Sequence, residues 1–428
     1  MLSFISYFNF TIFLLFTLCY SYQLYYVAFV LWHRKKPLYP ADAPQAALHR
    51  YAFVTSARNE SAVIAELIES IKAQRYPSEL IDIYVIADNC TDNTADIARS
   101  CGAYVYERFN KTLIGKGYAL DEFFHYLENE LPQRQYDGFF IFDADNLLDT
   151  GYTQAMNRVF DQGYRVVTSY RNSRNYGSNW ISAGYALWFL RESKYLSKAR
   201  MMLGTSCAIS GTGFLVSSEV IKANGGWPYH LLTEDIQFSI ANILKGETIG
   251  YADDAIIYDE QPITFQQSWN QRLRWSKGFY QVLAKYGTAL VRGITGGRSA
   301  KGPHPFACFD MLMTIVPAVF LALTSILVNS LVLLAELNNI YVIQQVVDVT
   351  QQAIAFSCFN FYFMLFLLGV ITTITEWHNI DAPAYKKVLY LFSFPIFILT
   401  YIPISFVALF KQVQWTPIAH GLASTQKS

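Results

Sequence analysis

The stretch Gly138-Phe139-Phe140-Ile141-Phe142-Asp143-Ala144-Asp145 decides how the middle of this chain is read. A short run without polar alternation is a strand buried on both faces, and here two carboxylates leave it at i and i+2. The same pattern recurs upstream. Tyr51 to Thr55 is an apolar run closed by Ser56-Ala57-Arg58-Asn59-Glu60, followed by Val63, Leu67, Ile68 and Ile71 at helical spacing. Ile81 to Ala87 ends in Asp88 and a polar loop, Ala95, Ile97 and Ala98 start a helix, Ala103 to Tyr106 is a third strand, and Ala119 to Leu127 a further helix. Strands alternating with helices predict an α/β domain built on a parallel sheet covered on both faces. In such sheets the ligand lies beyond the carboxyl ends of the strands, where Asp88, Asp143 and Asp145 stand.

Charge separates this block from its flanks. Of 428 residues 53% are hydrophobic and 15% charged, with 33 Lys+Arg against 33 Asp+Glu. Residues 1–32 carry no charge, 33–305 carry 57 charged side chains, 306–410 carry 7 and 411–428 carry 2. Zero net charge excludes a nucleic-acid binder held by bulk positive charge. About 20 apolar residues cross a bilayer as a helix, and four uncharged runs reach that length: the run ending near Trp32, Met311 to Ala335, Val349 to Thr375, and Val388 to Phe410. The first lacks a basic leader and a small-residue cleavage site, so it reads as a retained anchor. Arg34-Lys35-Lys36 and Lys386-Lys387 place the charged block on the cytoplasmic side, and the short loop 336–348 with Glu336 and Asp348 outside. Pro395 and Pro403 weaken the last crossing. The expected organisation is an anchor over 1–36, a cytoplasmic domain over 48–265, an interfacial amphipathic segment over 266–305, membrane helices over 306–410 and a tail over 411–428. Six scattered cysteines show no metal-ligand spacing and read as small buried hydrophobes.

The polar clusters have definite chemistry. Asp143 and Asp145 can be aimed at one divalent ion, and hard oxygen ligands suit Mg²⁺ or Mn²⁺ shared with a diphosphate; an N-cap or turn is the bland alternative. No Gly-x-x-x-x-Gly-Lys-Ser/Thr occurs, which disfavours a P-loop triphosphatase, and Gly115-Lys116-Gly117 taken alone is a turn with a solvated lysine. Thr233-Glu234-Asp235 leads into a helix; a carboxylate there caps the helix or serves as the base of a transfer reaction. In Gln271-Arg272-Leu273-Arg274-Trp275 the Arg274 guanidinium suits phosphate oxygens and the Trp275 face a sugar ring, although an interfacial helix of the same composition suits lipid headgroups.

In this order, Asp88, Asp143-Ala144-Asp145, Thr233-Glu234-Asp235 and Gln271-x-x-Arg274-Trp275 followed by apolar helices resemble the processive family 2 glycosyltransferases, which include the catalytic subunits of cellulose, hyaluronan and poly-N-acetylglucosamine synthases. The likeness covers about residues 50–290. It implies a GT-A (Rossmann-like) domain and an inverting hexosyltransferase that uses a nucleotide sugar, UDP-glucose or UDP-N-acetylglucosamine foremost, with Mg²⁺ or Mn²⁺. It implies that Asp88 contacts the nucleoside, Asp143 and Asp145 the diphosphate and its metal, and that Asp235, beside Glu234, is the base. Gln271, Arg274 and Trp275 would hold the pyrophosphate and acceptor end. Thr55, Arg58 and Glu60 fall at the nucleotide-edge loop, Lys116 at a donor contact, and Gly211-Thr212-Gly213 at the acceptor-facing loop. One apolar run precedes the domain where cellulose and hyaluronan synthases have more, and no PilZ-like domain follows it. A multi-pass plasma-membrane enzyme making and exporting a β-linked polysaccharide, with accessory or homo-oligomeric subunits left open, is the leading expectation. A single addition to a lipid acceptor, as in ceramide glucosyltransferases, is the alternative, and a transporter component that only binds nucleotide sugar is a third.

Overall fold

The strand–loop–helix alternation folds as expected through its first half. A computed structural model describes residues 2–39, 45–296, 302–316, 319–335 and 340–413. After helix α1 (Leu2–Trp32) come β1 (Tyr51–Ala57), α2 (Ile64–Lys72), β2 (Ile81–Asp88), α3 (Thr94–Ser100), β3 (Tyr104–Arg108), α4 (Lys116–Glu130) and β4 (Gly138–Asp143). Strands β3, β2, β1 and β4 lie side by side in parallel, with Tyr51 opposite Ile81 on one side and Gly138 on the other. Both sheet faces are covered: Ala52, Val54, Ile86 and Ile141 pack with α4, while Phe53, Val85, Phe140 and Phe142 pack with α2. Burial on both sides is why these strands read as unbroken apolar runs.

The second half departs from the all-parallel expectation. It comprises β5 (Leu147–Leu148), α5 (Tyr152–Asp161), β6 (Val166–Ser173), α6 (Trp180–Arg191), a π-helical turn at Glu192–Ser197, α7 (Lys198–Met202), β7 (Phe214–Ser217), α8 (Ser218–Asn224), α9 (Glu234–Leu244) and β8 (Ile249–Asp259). The sheet continues β4-β7-β6-β8-β5, with β7 antiparallel to both β4 and β6, so the eight-stranded sheet is mixed. The antiparallel strand β7 carries the Gly211-Thr212-Gly213 turn back to the carboxyl end of β4: the Gly213 N–H donates to Ile141 O at 2.9 Å.

The remaining helices are α10 (Phe265–Thr295), α11 (Pro305–Ile315), α12 (Val319–Ala335), α13 (Ile340–Thr375), α14 (Ala384–Leu399) and α15 (Tyr401–Phe410). Among the described residues three helical stretches are long and apolar enough to cross a membrane: Leu2–Trp32, Ile343–Thr375 and Ala384–Phe410. The expected crossing at Met311 to Ala335 is instead divided between α11, of 11 residues, and α12, of 17. The expected outer loop 336–348 also shrinks, because α13 begins at Ile340 and takes Asp348 into the helix; Glu336 lies outside the described residues, as do Trp415 and most of the expected tail. The proline-bearing last run is interrupted where sequence placed the weakness. Pro403 has no N–H for Leu399 O, and α14 gives way to α15 around Thr400.

Two buried carboxylates join the sheet domain to the apolar helices. Asp310 of α11 takes both arms of Arg200 from α7 at 2.7 Å each and accepts from the hydroxyls of Tyr22 (3.0 Å) and Tyr26 (2.8 Å) of α1. Glu376, just beyond α13, pairs with Lys194 of the π-turn at 2.9 Å and accepts from Asn379 Nδ2 at 2.8 Å and from the Tyr170 hydroxyl of β6.

Candidate active site

The carboxyl ends of β1, β2 and β4 converge on one cleft edge, and each brings a residue singled out in sequence. Asp88 closes β2 and is buried; Arg108 Nη1 reaches its Oδ1 at 2.7 Å, while Arg108 Nη2 holds Glu122 at 2.8 Å. Burial pushes the Asp88 carboxyl up and Arg108 pulls it back down, so β3 and α4 fix its direction. Thr55 is 1% exposed, inside β1 between Val85 of β2 and Phe142 of β4, so it is not open to the cleft. Arg58 lies close enough to act on the Asp88 charge. Asn59 takes a left-handed φ of 59°, and the Glu60 N–H is tied to Thr94 Oγ1 at 2.9 Å.

At the end of β4 the lysine is not solvated. Lys116 opens α4, and its Nζ lies 2.5 Å from Asp143 Oδ1 and 2.8 Å from Gly211 O. Thr212 Oγ1 accepts the Asp143 N–H at 2.9 Å, so the Gly211–Gly213 turn and Asp143 are tied together. Asp145 is 6% exposed and turned toward the Glu260 N–H at 3.4 Å. Among the described residues no group of three or more His, Cys, Asp or Glu converges as a ready-made metal cage. Two hard carboxylates with the rest of the shell left to phosphate and water is how Mg²⁺ is commonly held, and the donor set fits that role.

Helix α9 aims Glu234 and Asp235 from its first turn, where unpaired N–H groups favour negative charge. A Cβ on Gly211, whose φ is +78°, would lie 3.6 Å from Asp235 Oδ2, so the glycine lets the backbone turn beside the carboxylate. Burial raises the Asp235 carboxyl, Asp143 adds to the rise, and Lys116 opposes it. Burial and the neighbouring Asp235 push Glu234 up to about 7.

Helix α10 supplies the far wall. Gln271, Arg274 and Trp275 fall at i, i+3 and i+4, one face of the helix, and Arg274 acts on the Glu234 charge. Among the described residues Gln271 Oε1 and Arg274 Nε are buried with no hydrogen-bond partner. Trp275 stands edge-on to Tyr185 at 5.8 Å and near Phe189 at 6.2 Å. Gly278, one turn on, lets α10 close over Thr233.

Asp143, Lys116, Gly211, Thr212, Glu234, Asp235 and Arg274 thus share one cluster. Thr55, Arg58, Glu60 and Asp88 form an adjoining edge. Sequence reasoning missed Arg171 and Asp259. Arg171 Nε holds Asp259 Oδ2 at 2.7 Å, its Nη1 donates to Ser210 O at 2.9 Å, and it stacks on Phe189 at 3.7 Å. Asp259 ends strand β8, so the strand-end rule that found Asp88 and Asp143 reaches it too. Tyr152 and Tyr170, aromatic residues of α5 and β6, are buried in the core.

Residues 49–278 match the pattern of the "Glycosyltransferase like family 2", and the chain belongs to that family. The domain is a GT-A fold, and the chain is a glycosyltransferase. It is 23% identical over 399 residues to the beta-monoglucosyldiacylglycerol synthase of Synechocystis sp., covering 91% of this chain and 78% of that one. It is 25% identical over 256 residues to the poly-beta-1,6-N-acetyl-D-glucosamine synthase of Staphylococcus aureus, covering 59% and 58%. Among solved structures, the mannosyltransferase PcManGT from Pyrobaculum calidifontis, in complex with GDP-Man and Mn²⁺, superposes with a TM-score of 0.57 at 16% identity, over 95% of this chain and 99% of that one. That likeness is one of fold.

Proposed function

We propose that this glycosyltransferase moves a hexose from a nucleoside-diphosphate sugar, UDP-linked, to a hydroxyl of a lipid-embedded acceptor, with inversion. The observation that carries the chemistry is the convergence of Asp235 with Asp143, Lys116 and the Gly211 turn at the sheet's carboxyl ends. The acceptor oxygen attacks the anomeric carbon, its proton passes to Asp235, and the carbon–oxygen bond to the diphosphate breaks with its electron pair left on phosphate. Arg274 and Lys116 face that growing charge, with Gln271 beside them. Mg²⁺ or Mn²⁺ held by Asp143 and Asp145 would supply further charge neutralisation when bound. Asp88, with Arg58 and Glu60, faces the nucleoside, and Trp275 the sugar.

A lipid acceptor is favoured over the polysaccharide expectation because similarity to the diacylglycerol enzyme runs through the apolar helices, whereas that to the polysaccharide synthase spans 59% of the chain. The polysaccharide remains the second reading, supported by 25% identity to that synthase. In either case the catalytic block lies on the cytoplasmic face of the plasma membrane and the apolar helices in it. Full-length protein in diacylglycerol-containing vesicles, given radiolabelled UDP-glucose or UDP-N-acetylglucosamine with Mg²⁺, Mn²⁺ or chelator, tests the reading. Label extracted into organic solvent as a single-sugar lipid, and lost with chelator, supports it. A labelled polymer that stays in water overturns the lipid acceptor.

A further inference from the structure

Helix α10 has a second working row beside the Gln271–Arg274–Trp275 face. Arg272, Ser276 and Tyr280 fall at i, i+4 and i+8, about 100° around the helix from it. All three, with Lys277, engage the last apolar segment. Arg272 Nη1 donates to Phe397 O at 3.0 Å and to Thr400 Oγ1 at 2.6 Å. Ser276 and Ser405 hydroxyls meet at 3.2 Å, Tyr280 donates to Ser405 O at 3.0 Å, and Lys277 Nζ to Ala408 O at 3.1 Å. The segment that sequence reads as a last crossing is therefore bound along α10 through its own backbone oxygens.

Arg272 stands out within this row. It is 0% exposed and, among the described residues, has no carboxylate partner within ion-pair distance. Its charge is met by two oxygens at the α14–α15 junction, by Ser268 O on its own helix at 3.3 Å and by rings: Phe397 at 4.3 Å, Tyr401 at 5.0 Å and Tyr185 at 5.9 Å. An unpaired buried guanidinium is costly unless its surroundings are fixed around it. The α14–α15 junction supplies two of its acceptors: Thr400 Oγ1, and Phe397 O, which also accepts from Thr400 Oγ1 at 2.6 Å. Tyr185 also packs edge-on against Trp275, so the α14–α15 junction and the proposed sugar platform share a ring.

We propose that Arg272 is a positioning residue: it clamps the broken end of α14 to α10 and so sets the register of Arg274 and Trp275 over the cleft. The membrane segment then serves as a strap on the catalytic helix. This rests on the glycosyl-transfer reading above, and the transition-state role of Arg274 and Trp275 is what makes the clamp visible in kinetics.

The test uses full-length protein in vesicles. Arg272→Met keeps the length and apolar contacts of the side chain but removes the donors. Its kcat falls at least tenfold per folded molecule, while the donor KM stays within threefold and the thermal midpoint is held; Arg272→Lys recovers part of the loss. Thr400→Val removes one acceptor without a cavity and lowers kcat by a few fold, and adding it to Arg272→Met costs nothing more, because both act through one contact. Should Arg272→Met fail to fold, Thr400→Val decides alone, and an unchanged kcat overturns the clamp. So do wild-type kcat in a folded Arg272→Met, additive losses, or activity falling only in step with the folded fraction. A wild type inert with every nucleotide sugar counts instead against the proposed reaction.

Discussion

Gly278→Ala displaces the proposed base, Asp235, without touching it. A Cβ at this position would lie 2.5 Å from both Thr233 Cγ2 and Oγ1 and 2.9 Å from Thr233 Cβ. Carbon atoms pack comfortably at about 3.5–4.0 Å, so the shortfall is about 1 Å. Thr233 is 4% exposed and its two near atoms are equally close, so no rotation clears both. Helix α10 or the start of α9 must move, and Glu234 and Asp235 follow Thr233 directly. Overpacking of this kind costs about 1–3 kcal/mol of stability, while misplacing a reacting group by about 1 Å can cost about 10²-fold in rate. The expected result is a kcat roughly a hundredfold down in a protein that still folds, followed by sugar transfer and by thermal unfolding of the same sample. Adding Thr233→Ala removes the two nearest atoms and restores most of the rate. A Gly278→Ala variant within threefold of wild-type kcat refutes the close approach and its consequence.

Glu234 keeps its proton to about pH 7 in the fold against an ordinary 4.5. The stability this contributes is complete below the unfolded value and is lost as pH rises through 7. Glu234→Gln, neutral at every pH, therefore gains on wild type between pH 5 and pH 8, read as the difference between thermal midpoints; a difference independent of pH contradicts the shift. Asp310→Asn leaves the buried Arg200 guanidinium short of its counter-charge and costs about 3–5 kcal/mol, measured as loss of folded protein in detergent. Replacing both partners, Arg200→Met with Asp310→Leu, costs less than the single change; a double variant that is worse points to packing instead of charge.

The parallel half of the sheet was legible because β1, β2 and β4 are buried on both faces and read as unbroken apolar runs. Strand β7 was not, because Phe214–Ser217 is too short for a pattern and its antiparallel direction is set by a turn of glycines. Apolar composition found the membrane-length stretches but could not see the division between α11 and α12. The site was legible where chemistry sits at chain landmarks: carboxylates at strand ends, acids at a helix start, and an i, i+3, i+4 row on a helix. It failed where partners are remote in sequence. Lys116 looks solvated until β4 places Asp143 beside it, Arg171 meets Asp259 only across β6 and β8, and nothing local marks Arg272, because its partners at Phe397 and Thr400 are 125 and 128 residues away.

The central claim is that Asp235 is the base of a sugar transfer at this cleft. The most direct measurement compares Asp235→Asn with wild type in the same vesicles, taking donor binding by calorimetry and label transfer to the acceptor by extraction. The account predicts donor affinity within threefold and transfer reduced by about 10²–10⁴. Transfer within a few fold of wild type at equal donor occupancy would contradict it.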